Sequence, residues 1–257
     1  MKHHITHRAA TALLCAATAV IITGCSSDST GADAKSAPSA TGAKHPFDTM
    51  TPEQIYEQAR KATKNTTSMR LTGKATNDGR QVEVDLAVDV HGSCNGTMGN
   101  SLGTVTLIKK GSLVYAKAGE DYWRATFSRG MTAEQTEEMV GHFTGRWIKP
   151  PKMMSEMLGR VCDGFDDMFG GLDPVSDGDS VREADATVGG RPVAVLTERT
   201  TPETATVYIA KEGKPYLLRG TVTGGDEPVD LTFTDHDKPV DTTPPPSDQI
   251  LDPTTLR

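Results

Sequence analysis

The sequence is poor in aromatic residues and carries no excess of positive charge. Aromatic residues make up 5% of the 257 residues, and 34 acidic residues outnumber 27 basic ones, so the formal net charge is −7. Nucleic-acid-binding proteins need a basic surface for phosphate, and binders of single strands also stack bases on aromatic rings. The composition therefore argues against nucleic acid as a partner.

No apolar run is long enough for a comfortable membrane span. The longest occupies residues 9–23, whereas a transmembrane helix needs about 20 apolar residues. It follows a short segment whose charged side chains are Lys2 and Arg8, which is typical of a secretory signal peptide. We therefore predict a signal peptide at residues 1–24, whose removal leaves a net charge of −9 because it contains two cations and no acid.

The signal peptide ends in the sequence ITGC at residues 22–25, which resembles the lipobox of bacterial lipoproteins. Small side chains give a signal peptidase access to the bond before Cys25, and the Cys25 thiol can take a diacylglyceryl thioether. We predict a lipid-anchored protein on the extracytoplasmic face of the cell membrane, held by acyl chains such as palmitate. The alternative is an uncleaved anchor with an incidental cysteine.

The segment after the lipobox is rich in Ser, Ala, Gly and Thr and offers almost nothing to bury. A flexible coil of this length spans about 25 Å. We therefore expect residues 25–46 to comprise the lipidated cysteine and a tether. Residues 47–257 should form one domain, with a helical insert at 131–170 and an extended C-terminal tail.

Cysteine is scarce: besides one cysteine in the signal peptide and the lipobox cysteine, the chain has only Cys94 and Cys162. An even pair in an exported protein predicts a disulfide. The alternative of a reactive thiol would need His91 or His142 as a neighbouring base. No metal site is predicted, because these two cysteines without CxxC or HxxxH spacing make no preformed ligand set.

Periodicity predicts one helix followed by strands. Thr51 and Gln54 have the spacing of a capping box, which Thr132 and Gln135 repeat, and Pro52 suits the first helical turn. Apolar residues then alternate with acids from Val82 to Val90, which indicates a half-buried antiparallel strand. The preceding run should pair with it across the turn at residues 77–79.

The remaining chain alternates between strands and helices. Short strands are expected at residues 104–109 and 112–117 and around Tyr122 and Trp123, then two helical stretches, then a second strand meander at 181–235. So long an antiparallel sheet must curl or split. The pattern predicts an α+β fold: a curved antiparallel sheet forming an open half-barrel, with helices covering its concave face.

Several segments together resemble a known family: ITGC, TPEQIYEQARKAT leading into SMRLTGKA, GSCNGTMG with the strands after it, GRPVAVLTERT, TVYIAKEGKPYLLRGTV and LTFTDHDKPV. They are similar to actinobacterial lipoproteins with the fold of the lipoprotein carrier LolA, related to the LppX and LprG lipoproteins. The resemblance covers about residues 47–250. It implies a half-barrel of about 11 strands, a helical lid and an apolar cavity for acyl chains, and it brings no catalytic residue.

Six of the ten methionines lie in the helical insert. Methionine is flexible and polarizable, so a lid rich in it can repack around different acyl chains. The alternative is an ordinary core between helices and sheet. Our candidates for cavity lining come from the insert and from the alternating strand: Met139, Val140, Phe143, Met153, Met154, Met157, Leu158, Val82, Val84, Leu86 and Val88.

Three polar motifs do not have the pattern of a catalytic or calcium site. Residues 99–103 match GxSxG around Ser101, but a strand follows the serine where the nucleophile elbow needs a helix. The Asp235-His236-Asp237 triplet is expected to be a solvated turn. The acidic cluster at Asp163, Asp166, Asp167, Asp173, Asp177 and Asp179 lacks the spacing of a calcium loop. We therefore expect a non-enzymatic protein without a cofactor.

Two functions remain open from the sequence. The first is a membrane-anchored protein, monomeric, that binds or carries a lipid or other hydrophobic ligand. The alternative is a protein-interaction or sensor lipoprotein with the same fold and no ligand cavity in use.

Overall fold

The computed structural model describes residues 45–77, 79–163 and 180–251. The chain divides into a unit of residues 1–43 and a unit of residues 44–257, and the described residues all belong to the second. The predicted signal peptide, Cys25, nearly all of the tether, and the acidic residues at 166–179 lie outside the described residues. No helix among the described residues is long and apolar enough to cross a membrane.

Four α-helices and two short 3₁₀ helices are present among the described residues. The α-helices are α1 (Pro52–Lys64), α2 (Glu120–Phe127), α3 (Ala133–Phe143) and α4 (Lys152–Asp163), and the 3₁₀ helices are Pro46–Thr49 and Ser247–Gln249. The strands are β1 (Ser68–Asn77), β2 (Arg80–Asp89), β3 (Cys94–Asn100), β4 (Gly103–Lys110), β5 (Leu113–Ala118), β6 (Trp147–Ile148), β7 (Val181–Arg182), β8 (Ala186–Val188), β9 (Arg191–Thr200), β10 (Glu203–Ala210), β11 (Leu217–Thr223), β12 (Val229–Thr234) and β13 (Ile250–Leu251).

All thirteen strands belong to one sheet. Its order is β13-β6-β5-β4-β3-β2-β1-β12-β11-β10-β9-β7, and β8 also pairs with β9. The described pairings are antiparallel except that of β6 with β13, which is parallel. The curved, unclosed sheet with its helices confirms the predicted α+β half-barrel. It has more strands than the expected 11 because very short strands extend both edges.

Strand β1 joins the two halves of the sheet. It pairs with β2 on one side, from Ser68 opposite Asp89 to Asn77 opposite Arg80, and with β12 on the other. The hairpin predicted from the alternation in β2 is therefore confirmed. The segment that begins the sheet in sequence thus lies in its middle.

Capping explains where two helices begin. At α1 the Gln54 amide donates to the Thr51 hydroxyl at 3.4 Å, and the Thr51 amide donates to the Gln54 side-chain oxygen at 3.1 Å. Thr132 and Gln135 form the same reciprocal pair at α3. Both capping boxes were predicted from sequence spacing, and each satisfies two amide donors that the helix leaves free.

The structure corrects two local predictions. Tyr122 and Trp123 lie in α2, not in a strand, because Trp123 and Phe127 are four residues apart and share the helical face that packs inward. Strand β3 was not predicted, since its sequence CNGTMGN is rich in glycine and asparagine, which disfavour strands.

Two buried clusters occupy the space between helices and sheet. The α1 cluster joins α1 to β1, β2 and β9–β12, with Ile55, Met69, Leu86 and Phe233 among its residues. The lid cluster joins α2 and α3 to β4, β5, β6 and β13. A third cluster covers the opposite face of β9–β11, where residues alternate with those of the α1 cluster.

Candidate functional site

The predicted cavity-lining residues of the sheet belong to the α1 cluster. Leu86 and Val88 are fully buried there, and Val84 is half-buried against it. Val82 is also half-buried but lies nearer the β1–β2 turn. The inward side of β2 is therefore the side that the alternation indicated.

The predicted residues of the helical insert belong mostly to the lid cluster. Val140 and Phe143 are buried in it, and Met139, Met154 and Leu158 pack against it while remaining partly exposed. The two sets of candidates therefore lie in different clusters. Met98 of β3 packs against both clusters and connects them, and sequence reasoning missed it because β3 was not recognised.

Met153 and Met157 do not face the sheet. Their side chains are 83% and 58% exposed. Successive residues on a helix are rotated by about 100°, so Met154 and Leu158 turn inward while the residues one step earlier turn outward. The assignment of both methionines to a cavity lining is therefore corrected by the helical phase of α4.

An aromatic group forms the centre of the lid cluster. Trp123 stacks on Phe127 with ring centroids 5.6 Å apart, and Phe143 lies 5.1 Å from Trp123 and 5.2 Å from Phe127. Trp123 is 2% exposed, and within the described part of the chain its indole nitrogen has no hydrogen-bond partner. An N–H donor in an apolar interior costs free energy until an acceptor reaches it. The spacing of Trp123 and Phe127 could have revealed this group.

Half-buried apolar side chains surround the lid cluster: Met98, Tyr122, Phe127, Met139, Met154 and Leu158. They form the margin where α2, α3 and α4 meet the sheet, and we call them the methionine rim. Three of the six are methionines, whose unbranched side chains change rotamer at little cost. The rim can therefore rearrange around an inserted apolar chain more readily than the fully buried cluster beneath it.

The disulfide predicted from cysteine counting joins Cys94 of β3 to Cys162 of α4, with Cα atoms 5.5 Å apart. Both cysteines are buried. Beside the disulfide, the Lys109 ammonium pairs with the Asp163 carboxylate and donates to the Gly92 carbonyl at 2.9 Å. The C-terminal end of α4 is therefore fixed to the sheet at two points.

A small apolar hollow of about 20 Å³ lies beside α1, between β9 and β10. It is lined by Tyr56, Ser180, Leu196, Thr197, Glu198, Ala205 and Val207. A space of this size holds about one water molecule, so an acyl chain could enter only if side chains moved. In this conformation the concave face beside α1 is filled by its own side chains.

Glu198 places a carboxyl group at this hollow. The residue is 5% exposed and lies opposite Ala205 in the sheet, and neither carboxyl oxygen has a hydrogen-bond partner among the residues that the structure describes. Burial raises the pKa of the Glu198 carboxyl, because the charged form loses its hydration. No sequence signal indicated this residue, since the strand predicted at 192–198 gave no reason to place a charge inside.

The Asp235-His236-Asp237 turn is more ordered than expected. Asp237 accepts hydrogen bonds from the Tyr216 hydroxyl at 2.7 Å, the Thr67 amide at 2.9 Å and Lys214 at 3.1 Å. These donors lower the pKa of Asp237, with the Tyr216 hydroxyl first. The His236 ring stacks on Tyr216 with centroids 4.2 Å apart, so the turn is a structural support and not merely a solvated loop.

Where the structure describes them, the remaining polar motifs form no recognisable catalytic or metal site. Ser101 lies exposed in the turn between β3 and β4, which lacks the strand-to-helix geometry of a nucleophile elbow. Among the described residues, no three His, Cys, Asp or Glu side chains are grouped to hold a metal ion.

Comparisons by sequence find no matching family model and no matching curated protein. Comparisons by structure do find relatives of the fold. LprF from Mycobacterium bovis aligns with a TM-score of 0.51 at 14% identity, over 76% of this chain and 98% of LprF. The lipoprotein LppX of Mycobacterium tuberculosis aligns with a TM-score of 0.45 at 15% identity, over 74% of this chain and 97% of LppX.

A LolA superfamily protein from Nitrosomonas europaea aligns at 9% identity with a TM-score of 0.23, over 74% of this chain and 94% of its own. At these identities the likeness concerns the fold alone, and among these three the alignment with LprF carries it. The open half-barrel with its helices and this alignment together show that the chain has the fold of LprF.

Proposed function

We propose that the protein binds a lipid or other amphiphile between its helices and the concave face of the sheet, without covalent chemistry. The observation that carries this proposal is the methionine rim over the lid cluster. Movement of the rim residues of α2, α3 and α4 away from the sheet would uncover the apolar surface of the lid cluster. Each methylene of a ligand buried there would contribute about 0.8 kcal/mol.

Buried polar atoms without partners support an amphiphile over a pure hydrocarbon. The Trp123 indole nitrogen can donate to a carbonyl oxygen such as that of an ester, and the Glu198 carboxyl can exchange hydrogen bonds with a hydroxyl group. The apolar chain would supply most of the affinity, and the polar atoms would fix its orientation.

The proposal includes attachment to the membrane through a diacylglyceryl group on Cys25, on the extracytoplasmic side. The lipobox and the short signal-like segment support it. Intact-mass measurement of the protein purified from membranes should show a chain that begins at Cys25 and carries acyl chains. An unmodified Cys25 would contradict this attachment.

The filled hollow beside α1 favours a second candidate, a protein-interaction or sensor lipoprotein with a closed core. The two candidates differ in what purifies with the protein. Native mass spectrometry and organic extraction of the full chain should find stoichiometric lipid under the first proposal and none under the second.

A matched pair of variants makes this test specific. Met98→Asp places a charge at the side chain that joins the two clusters, whereas Met131→Asp alters an exposed methionine outside both clusters. We expect the first to lose the bound lipid and the second to keep it. Circular dichroism should confirm that both variants are folded, and equal lipid content in two folded variants would contradict binding at the rim.

A further inference from the structure

The outward side of α4 is the most exposed large apolar surface among the described residues. Met153 and Met157 lie one helical turn apart, and their side chains are 83% and 58% exposed. The helix itself is packed on the domain, because Met154 and Leu158 of α4 pack against the lid cluster. Two neighbouring exposed methionines on one helix therefore form a surface that lacks a partner in the described structure.

A groove with an excess of cations lies along the same helix as these methionines. A groove of about 640 Å³ runs between α4 and the β4–β5 turn, and Lys149, Lys152 and Arg160 line it. The acids there are Glu156, 3.8 Å from Lys152, and Asp163, which is paired with Lys109. Lys149 and Arg160 form no ion pair with any residue that the structure describes.

This local charge is opposite to that of the chain. The whole sequence carries −7, whereas the described groove lining holds four cations, Lys109, Lys149, Lys152 and Arg160, against two acids, Glu156 and Asp163. Exposed apolar side chains combined with an excess of cations are typical of surfaces that lie in the interface of an anionic bilayer. The acidic remainder of the surface would be repelled from the same bilayer.

We propose that the α4 surface, defined as Met153, Met157, Lys149, Lys152 and Arg160, docks on an anionic lipid bilayer. The two methionines enter the interface, and the three cations contact lipid phosphates. This proposal rests on the membrane attachment proposed above. It adds an orientation: α4 faces the membrane, and the acidic strands face away.

The tether makes weak docking sufficient. With the tether predicted from the sequence and the attachment proposed above, a coil of about 20 residues would hold the domain within about 25 Å of the membrane, which corresponds to an effective concentration in the millimolar range. The docking helix also carries Met154 and Leu158 of the methionine rim on its inner side. Docking therefore brings the margin through which a ligand would enter close to the lipids.

Methionine oxidation tests the proposal on the full chain. The chain is mixed with vesicles of phosphatidylcholine alone or with 30% phosphatidylglycerol and exposed to hydrogen peroxide, a neutral oxidant. Oxidation of Met153 and Met157 is measured by peptide mass spectrometry relative to Met131, which is exposed but outside the α4 surface. We expect oxidation on anionic vesicles to be about tenfold slower, because three interfacial cations each strengthen attraction severalfold.

Charge-reversal variants provide the control. Lys149→Glu with Arg160→Glu should abolish the slower oxidation on anionic vesicles, whereas Lys64→Glu with Arg80→Glu, which changes net charge equally at other exposed positions, should leave it intact. Equal oxidation on both kinds of vesicle would overturn the proposal. Protection without vesicles that increases with protein concentration would indicate a second copy as the partner and would also overturn it.

The experiments distinguish a failure of the docking proposal from a failure of the proposed membrane attachment or lipid binding. A chain that floats with vesicles yet has fully reactive Met153 and Met157 is anchored but not docked. A chain with protected methionines and no extractable lipid is docked but does not carry the proposed ligand.

Discussion

Glu198 is a carboxyl group on an otherwise apolar side of the sheet, and it has no hydrogen-bond partner among the described residues. A buried polar group without a partner lowers stability. The indole N–H of Trp123 is likewise buried without an acceptor in the described part of the chain. Under the proposed function, both groups would meet the polar part of the ligand.

Replacing Glu198 with methionine should raise the free energy of unfolding by about 1–2 kcal/mol at pH 7. The folded state favours the protonated carboxyl, so its destabilising effect appears as pH rises through the unfolded pKa and is small at pH 4. Urea unfolding at both pH values measures this. Glu134→Met, at an exposed position of α3, is the control and should change stability little; a destabilised Glu198→Met would contradict the prediction.

His236 should make stability depend on pH. Burial, with a smaller contribution from Arg191, lowers the pKa of His236 from 6.5 to about 4. The folded state thus binds fewer protons than the unfolded state between these values, so stability is present above pH 6.5 and is lost as pH falls toward 4. The full shift is reduced by partial exposure of the ring, which leaves about 1–2 kcal/mol.

Urea unfolding of His236→Asn between pH 7 and pH 4.5 checks this expectation. The variant should lose less stability than the wild type over that interval, although the loss of the stack on Tyr216 should weaken it at pH 7. His142→Asn alters an exposed histidine and should keep the wild-type profile. Parallel profiles for all three proteins would mean that His236 does not titrate in this range.

At the scale of elements, β3 shows why a strand can escape prediction. The glycines of β3 are typical of a turn in sequence. Gly96, however, is needed within the strand, because its φ is positive and β2 approaches it closely. A Cβ atom built at Gly96 would lie 2.0 Å from the Asp85 carbonyl oxygen, and φ is +154°. The glycine that weakens the sequence signal is thus the residue that permits the β2–β3 pairing.

Gly96→Ala should therefore lower the free energy of unfolding by about 2–4 kcal/mol, since backbone must move to admit the methyl group. Gly130→Ala is the control, because a Cβ there meets no atom within 4 Å and φ is not in the left-handed region. Thermal or urea unfolding of both variants makes the comparison. Equal stability of the two would show that the β2–β3 contact relaxes at little cost.

For the helices, the sequence predicted where they begin better than which face they bury. Capping boxes at α1 and α3 were readable because they depend on residues three apart. The phase of α4 was not, since apolar residues at 153, 154, 157 and 158 cover a wide arc and only the position of the sheet decides which pair is buried. Sequence therefore located the helix and left its buried face open.

At the scale of the whole molecule, the disulfide links the helical layer to the sheet. It closes a loop of 68 residues that contains β4, β5, α2 and α3, so it restricts the unfolded chain as well as α4. The chain-entropy model gives about 4 kcal/mol for such a loop. Opening of the lid, if α4 takes part, should therefore pivot about the disulfide.

Reduction should thus loosen α4 more than α3. Hydrogen exchange in α4 should accelerate in the presence of reductant, while α3, which keeps its packing on α2 and the sheet, should change less. The Cys94→Ala, Cys162→Ala double variant should exchange like the reduced protein and should not respond to reductant. Unchanged α4 protection after complete reduction would show that packing and the Lys109–Asp163 pair hold the helix without the disulfide.

The sequence by itself determined the fold class, the β1–β2 hairpin, the starts of α1 and α3 and the cysteine pair, because these depend on periodicity of two or 3.6, on short spacings and on counting. The expected signal peptide, the lipidation of Cys25 and the monomeric state remain predictions. Only the tertiary structure decided that Met98 connects two separate clusters, that Glu198 and Trp123 hold unpartnered polar atoms, and that Met153 and Met157 face outward. Each of these depends on which strands and helices meet across long sequence distances, and local patterns carry no information about that.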